Sequence, residues 1–301
     1  GGTMGALEGR VAIVTGAGRG LGREHALLMA SLGAKVVVND VGAGLDGSGS
    51  DLSAAEQVVA EIRSGGGEAV ANSDDVADWA GAERLVRSAV DSFGDLHVLV
   101  NNAGILRDRV IVNMSEEDWD SVIRVHLKGH FAPTHFAAAY WREQSKAGRQ
   151  VNAAIVNTSS TSGLLGNPGQ ANYGAAKAGI AAFTIIAAAE LGRYGVRVNA
   201  IAPAARTRMT EETPGLADLV RAPASAEEFD PWDPAHVSPL VAYLATAECP
   251  LSGRVLFVQG GKVQAFEPWT LTEAIEREGR WTVAELADLV PGLFPAKVPA
   301  G

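Results

Sequence analysis

Apolar residues in this chain gather in short unbroken runs rather than alternating with polar ones. Residues 10–15, 35–39, 68–72, 97–100, 153–157, 196–201 and 254–258 form seven such runs, rich in β-branched side chains. A strand that is apolar on both sides belongs to a parallel sheet covered on both faces. Helix-like stretches separate the runs. They cover residues 22–32, a segment capped by Asp51 or Ser53 that runs to Arg63 before Gly65-Gly66-Gly67, residues 79–93, and an Ala-rich stretch over 171–194. Ser115-Glu116-Glu117-Asp118 has the form of a capping box that opens another long helix. This alternation predicts an α/β fold, a doubly wound parallel sheet of about seven strands, in one domain over residues 4–261.

Two stretches break the rhythm. Residues 41–50 are rich in Gly, Ser and Asp and read as a surface loop. Residues 204–234 lack periodicity over a length that suits a mobile lid on a substrate site. Residues 262–301 read as a C-terminal arm, with one short helix starting at Thr282. Gly1-Gly2-Thr3 reads as a foreign extension ahead of a natural start at Met4.

Composition narrows the class. With 301 residues, 47% hydrophobic and 20% charged, the chain is too apolar to be a disordered tail. One cysteine, Cys249, excludes an internal disulfide framework and a cysteine-cluster zinc site. A net charge of −10 without a basic run argues against nucleic acid as a partner. The longest uncharged apolar stretch, residues 178–189, is shorter than the roughly 20 residues a membrane helix needs. With no secretion signal legible, a cytoplasmic protein without membrane partners is expected.

The first candidate chemistry lies where the first strand meets the first helix. Gly16, Gly20 and Gly22 make a G-x-x-x-G-x-G run, with Gly18, Arg19 and Leu21 between them. Glycines let the backbone turn tightly and approach a pyrophosphate, whose charge is favoured at a helix N-terminus. Asp40 ends the second strand 20 residues beyond Gly20. There a carboxylate can accept the adenosine-ribose hydroxyls and repel a 2′-phosphate. That favours NAD over NADP, although Arg19 could pair with such a phosphate.

The second lies in the later half. Ser160 follows the fifth strand, Tyr173 comes thirteen residues on, and Lys177 four residues after that. An i, i+4 pair shares a helix face. A lysine ammonium there would favour phenolate and lower the tyrosine pKa. Such a phenol can exchange a proton with the oxygen of a secondary alcohol, while a serine hydroxyl holds that oxygen.

With these motifs in place, the sequence resembles the short-chain dehydrogenase/reductase family over residues 7–261. The resemblance rests on the glycine loop, Asp75-Val76, Asn101-Asn102-Ala103-Gly104, Ser160, Tyr173-Gly174-Ala175-Ala176-Lys177 and Pro203. It implies that Tyr173 is the general acid/base, that Lys177 tunes it and holds the nicotinamide ribose, and that Ser160 positions the substrate oxygen. It also implies that Asp75 and Val76 line the adenine pocket, and that Asn102, Ala103 and Gly104 pass beside the cofactor. A homodimer or homotetramer is the family's common assembly. Residues 36–40, 101–109, 118–120, 124–127 and 166–173 are similar to one branch: the (3R)-hydroxyacyl-CoA dehydrogenase domain of peroxisomal multifunctional enzyme type 2 and its bacterial relatives.

Three positions depart from the wider family. His126 stands where asparagine usually supports a proton relay; it serves that relay or only packs in its helix. Pro203 is followed by Ala204 rather than glycine. Thr207 is the nearest match to the threonine that contacts the cofactor amide.

The expected activity is NAD-dependent interconversion of a secondary alcohol and a ketone, with (3R)-hydroxyacyl-CoA as the substrate. A 17β-hydroxysteroid or a steroid side-chain CoA ester is the alternative. A non-catalytic dinucleotide-binding regulator is the alternative of another class, disfavoured because Ser160, Tyr173 and Lys177 are all present. Arg107, Arg109, Arg206 and Arg208 follow the fourth and sixth strands, where they could receive CoA phosphates. Leu164, Leu165 and the lid could wall an acyl chain or sterol. No metal is expected, since the histidines lack ligand spacing apart from His126 and His130.

Overall fold

The structure, a computed structural model, describes residues 5–42, 52–206 and 217–294. Its centre is an eight-stranded sheet. The strands are β1 (Val11–Val14), β2 (Lys35–Asn39), β3 (Glu68–Asn72), β4 (Val98–Asn101), β5 (Ala153–Thr158), β6 (Val196–Pro203), β7 (Val255–Gln259) and β8 (Lys262–Ala265). They lie in the order β3-β2-β1-β4-β5-β6-β7-β8. All neighbours are parallel except β7 and β8.

The seven expected runs are the seven parallel strands, and β8 is the addition. Its four residues, Lys-Val-Gln-Ala, are all exposed, so no apolar run marked it. Gly260, at φ +53, turns the chain back so that Gln259 pairs with Lys262. Residues 262–265 therefore belong to the sheet and not to the arm.

Helices cover both faces. On one side α1 (Gly20–Ser31), α2 (Leu52–Ser64) and α8 (Ser238–Ala245) pack Met29, Val58 and Leu244 against Ala12, Val14, Val36 and Val38. On the other, α3 (Trp79–Phe93), α5 (Gly129–Lys146) and α7 (Ala171–Leu191) pack Leu85, Trp141 and Ala187 against Val11, Ile13, Val37 and Ile155. Successive residues of β1 thus feed opposite cores, which explains its unbroken apolar run. Each fully buried Val, Leu or Ile contributes roughly 1.5–3 kcal/mol.

The helix opened by Ser115 is not continuous. Ser115 and Asp118 form the expected reciprocal box. The helix α4 (Glu116–Val122) then widens into a π-turn over Ile123–Lys128 before α5, which carries Pro133. Such widened turns are frequent at functional sites and have no simple sequence signal.

The Ala-rich stretch read over residues 171–194 is helical to its end, α7 giving way to a tighter turn over Gly192–Tyr194, and it exceeds the uncharged apolar stretch 178–189 within it. Ala171–Tyr194 is long and apolar enough to cross a membrane by length and composition. Here it packs on the sheet, and its Thr184 hydroxyl accepts from the buried Asn157 amide at 3.0 Å. Its first turns hold Tyr173 and Lys177.

Chain order reverses between β1 and β4: β2 and β3 extend to one side, β4 to β7 to the other. In such sheets a crevice opens at the strands' C-terminal ends at that switch point. The turn after β1 and the segment after β4 both start there.

Contacts divide the chain into Gly1–Phe266 and Glu267–Gly301. In the second unit Thr282 and Glu285 form a capping box at the start of α9 (Val283–Leu289). Arg277 pairs there with Glu285 at 2.6 Å and lies over the Trp281 ring.

Candidate active site

The turn after β1 is built largely from backbone. The Thr15 hydroxyl accepts the N–H groups of Asn102 (2.9 Å) and Ala103 (3.1 Å), tying the turn to the segment after β4. Gly16 and Gly20 have φ of +59 and +57, a left-handed conformation that favours glycine. A Cβ on Gly16 would stand 2.8 Å from the Ala103 Cα, one on Gly18 2.4 Å from Asp40 Oδ2, and one on Gly22 2.3 Å from the Gly16 carbonyl oxygen. Arg19 is exposed and adds no side-chain cap to α1, and Leu21 is half-buried. The result is a side-chain-free cradle facing a helix N-terminus, which fits a dinucleotide pyrophosphate.

Asp40 holds that cradle. Its Oδ2 accepts the Gly18 N–H at 2.8 Å and its Oδ1 the Gly42 N–H at 2.6 Å. Each oxygen keeps a lone pair for a further donor. Asp75 is similarly committed, accepting from the Ala77 N–H (2.9 Å) and the Arg124 guanidinium (2.8 Å). Val76 is buried beside Gly129, and the Asn102 amide reaches the Gly16 carbonyl.

Ser160, Tyr173 and Lys177 come together at the other side of the crevice. Ser160 caps α6 (Thr161–Leu164), and its hydroxyl stands near enough to the Tyr173 phenol to favour its ionised form. The Lys177 ammonium lies 5.4 Å from the Tyr173 ring centre and donates to the Thr158 carbonyl at 2.8 Å.

Electrostatics correct one expectation. Burial, not the lysine, dominates the phenol: it pushes the Tyr173 pKa up to about 12, with the Ser160 hydroxyl nearby opposing and the Asp108 charge adding. The same dryness lowers Lys177 to about 7. The pair therefore favours a protonated phenol beside a lysine that titrates near neutrality.

His126 is 1% exposed, and its ring meets Tyr173 edge-on at 5.1 Å. Its Nε2 lies 2.7 Å from the Ile105 carbonyl oxygen, while Nδ1 has no hydrogen-bond partner. Burial first, then the Lys177 charge, holds its pKa well below the usual histidine range. Gly104 makes room for that ring, since a Cβ there would lie 2.2 Å from His126 Cε1.

A polar layer under the site was not read from the sequence. Asn101 donates to Asn157 and Thr134, and the Thr158 hydroxyl donates to the Asn101 carbonyl. Asn172 donates to the carbonyls of Arg107 and Asp118, fixing the loop opposite Tyr173. Gln170 donates to Asp108, whose pKa burial raises. The available signal was polar residues ending apolar strands, as at Asn101 and Asn157.

The arginines separate. Arg107 approaches Glu117 at 3.7 Å, and exposed Arg109 donates to the Asp108 carbonyl. Arg206 turns inward to Asp230 and the Val220 carbonyl, so it fastens the irregular segment instead of facing an anion. Pro203 ends β6 at the crevice. Thr207 and Arg208 lie outside the described residues. Among those described, no group of three or more His, Cys, Asp or Glu residues could hold a metal ion.

Comparisons agree with this architecture. The family model described as short chain dehydrogenase matches residues 10–215. A Mycobacterium tuberculosis protein named hydroxyacyl-CoA dehydrogenase ChsB1 is 46% identical over 97% of this chain and 91% of its own length. The Drosophila melanogaster peroxisomal multifunctional enzyme type 2 is 47% identical over 82% of this chain but only 38% of its own length. A crystal structure of a short chain dehydrogenase from Mycobacterium avium superposes with a TM-score of 0.85 at 54% identity, covering 96% of both chains. The chain belongs to the short-chain dehydrogenase/reductase family and is an oxidoreductase acting on CH–OH groups.

Proposed function

We propose that this protein oxidises (3R)-hydroxyacyl-CoA to 3-ketoacyl-CoA with NAD. The observation that carries the substrate is its 46% identity, over nearly its whole length, to a protein named hydroxyacyl-CoA dehydrogenase. The chemistry is carried by Ser160, Tyr173 and Lys177 meeting at one edge of the crevice. Absence of the tyrosine or lysine would have favoured a non-catalytic regulator, and both are present.

Ser160 holds the substrate oxygen. Tyr173 Oη takes the hydroxyl proton as the carbon–oxygen double bond forms. A bound nicotinamide dinucleotide supplies the acceptor for the hydride leaving that carbon. Lys177, which titrates near neutrality, places positive charge beside the phenol when protonated and would hold the nicotinamide ribose. In reduction Tyr173 returns its proton to the ketone oxygen, a role suited to a phenol that burial keeps protonated. Gly16, Gly18, Gly20 and Gly22 would hold the pyrophosphate, Arg19 and Leu21 would flank it, and Asp75 and Val76 would border the adenine. Asn102, Ala103, Gly104 and Pro203 would line the nicotinamide side. His126 backs the Tyr173 ring, and a relay role there would use its unpartnered Nδ1.

Asp40 supports NAD over NADP, because a 2′-phosphate would face its carboxylate. A second substrate reading, a hydroxysteroid or steroid side-chain CoA ester, draws on apolar residues at the rim. Ile111, Val112 and Leu165 are 76%, 89% and 74% exposed. They stand on the two loops that the Arg109–Gln170 bridge joins. Exposed Trp79, Phe131 and Ile186 on α3, α5 and α7 support a homo-oligomer, for which light scattering is the test. NAD reduction with paired 3R and 3S esters and a 17β-hydroxysteroid tests the substrate; turnover of the steroid alone would replace the first reading by the second.

A further inference from the structure

His130 is buried beside the site, yet the proton transfer described above makes no use of it. It is 1% exposed, on the first turn of α5 directly after the π-turn. Both ring nitrogens are engaged with backbone. Nδ1 lies 2.6 Å from the His126 carbonyl oxygen, so it carries the hydrogen and donates. Nε2 faces the Thr158 N–H at 3.2 Å, so it accepts. The partners thus fix one neutral tautomer. The charged and titratable groups around the ring are Lys177 and His126, with the Asn101 backbone beside it. Burial and the Lys177 charge lower its pKa to about 3, so the ring stays neutral near neutral pH.

What the ring holds is significant. Thr158 is the last residue of β5 and immediately precedes Ser159-Ser160. Its carbonyl accepts from the Lys177 ammonium at 2.8 Å, and its hydroxyl is tied to the Asn101 carbonyl at 2.7 Å. Ser159 returns a hydrogen bond from its hydroxyl to the Lys177 carbonyl at 2.8 Å. The Thr158 main chain is therefore the seat of the lysine, and His130 is its only side-chain tie to the π-turn among the contacts above.

We propose that His130 is a positioning residue: its neutral imidazole clamps the Thr158 main chain to the π-turn, and the Thr158 carbonyl then fixes the Lys177 ammonium beside Tyr173. The proposal rests on Tyr173 and Lys177 as the proton-transfer pair and is independent of which alcohol is oxidised. It separates the two ring nitrogens. The Nε2 contact reaches Thr158 and hence the lysine; the Nδ1 contact anchors the ring.

Two variants divide those contacts. In His130→Gln the amide oxygen can stand in for Nε2 and accept from Thr158. In His130→Asn the amide nitrogen can stand in for Nδ1 but cannot reach Thr158. The primary readout needs no substrate: the pH titration of Lys177, followed by NMR of lysine carrying carbon-13 at Cε and assigned by its loss in Lys177→Met. A carbonyl acceptor favours the charged ammonium. His130→Asn should therefore lower the Lys177 midpoint by about one pH unit, whereas His130→Gln should leave it close to wild type.

In turnover of any alcohol the wild type oxidises, His130→Asn should lose about tenfold in kcat with KM and dinucleotide Kd unchanged, and His130→Gln should stay within about threefold. Equal Lys177 midpoints and equal kcat in all three proteins would overturn the proposal. So would losses that are the same in both variants and follow thermal stability. A nitrogen-15 ring spectrum of the wild type gives a check without any substitution: a hydrogen on Nε2 instead of Nδ1 would also overturn it. Failure to turn over hydroxyacyl-CoA esters would count against the substrate reading alone, since the NMR titration would still decide the role of His130.

Discussion

The two sides of the crevice are built from different materials. After β1 the binding surface is backbone, emptied of side chains by glycines and pinned by one carboxylate, Asp40. After β5 it is made of side chains, Ser160, Tyr173 and Lys177, and the ionisation of the last two is shifted by dryness. The first side is sensitive to volume: a Cβ on Gly16 or Gly22 meets backbone, and one on Gly18 meets the Asp40 carboxylate. The second is sensitive to protons, and its residues tolerate similar volumes only if the ionisable atom is kept. Binding and chemistry should therefore fail separately.

The sharpest separation comes from Tyr173→Phe. It removes the proton carrier and leaves the ring, so turnover should fall by about 10²–10⁴-fold while NAD affinity stays within a few-fold of wild type, read by steady-state kinetics and calorimetry. Near-full activity would remove Tyr173 from its assigned role. On the other side, Gly16→Ala places a Cβ 2.8 Å from the Ala103 Cα at φ +59. The dinucleotide KM should rise by about tenfold or more, and kcat at saturation should change less.

Proton dependence should also sit on one side only. Because burial raises the Tyr173 pKa, the phenolate needed for alcohol oxidation is scarce at neutral pH. Oxidation should thus quicken as pH rises above 7, while ketone reduction, which uses the phenol, should not. A pH-independent oxidation rate would contradict that assignment. Asp40→Ala removes the carboxylate that would oppose a 2′-phosphate, and NADP turnover should gain on NAD by about tenfold. An unchanged ratio would leave Asp40 only its loop contacts with Gly18 and Gly42.

A smaller effect concerns stability. His25 is buried with its pKa lowered to about 3, and its Nδ1 lies 2.7 Å from Ser238 Oγ. His126 and His130 are likewise depressed by burial. The folded values lie below the unfolded one, so the stability these neutral rings permit is present above about pH 6.5 and is lost as pH falls. Each contributes a slope of about 1.4 kcal/mol per pH unit once the unfolded chain is fully protonated. His25→Leu combined with Ser238→Ala should flatten the acid limb of Tm against pH, since one of the neutral rings that take up a proton on unfolding is gone.

The same division governs what the sequence made legible. The β1 turn declares itself because its function is written in residue type: glycines where side chains cannot stand, and an acidic residue at the next strand's end. Tyr173 and Lys177 are legible because helix spacing alone puts them on one face. His130 is not, because its role depends on β5 and α5 meeting in space, far apart along the chain. Nor is the pKa of Tyr173: a neighbouring lysine is visible in sequence, but the dryness that outweighs it is created by packing. The strand β8 escaped for the opposite reason, having no buried face to leave a pattern. Arg206 resembled a free anion receptor until Asp230 appeared beside it.

The most direct test of the whole account is NAD reduction, followed by absorbance, with matched 3R and 3S hydroxyacyl-CoA esters and with NADP in a parallel series. The account predicts turnover of the 3R ester with NAD, little with the 3S ester or with NADP, and loss of the signal in Tyr173→Phe. Equal turnover of both stereoisomers, a preference for NADP, or activity that survives Tyr173→Phe would contradict it.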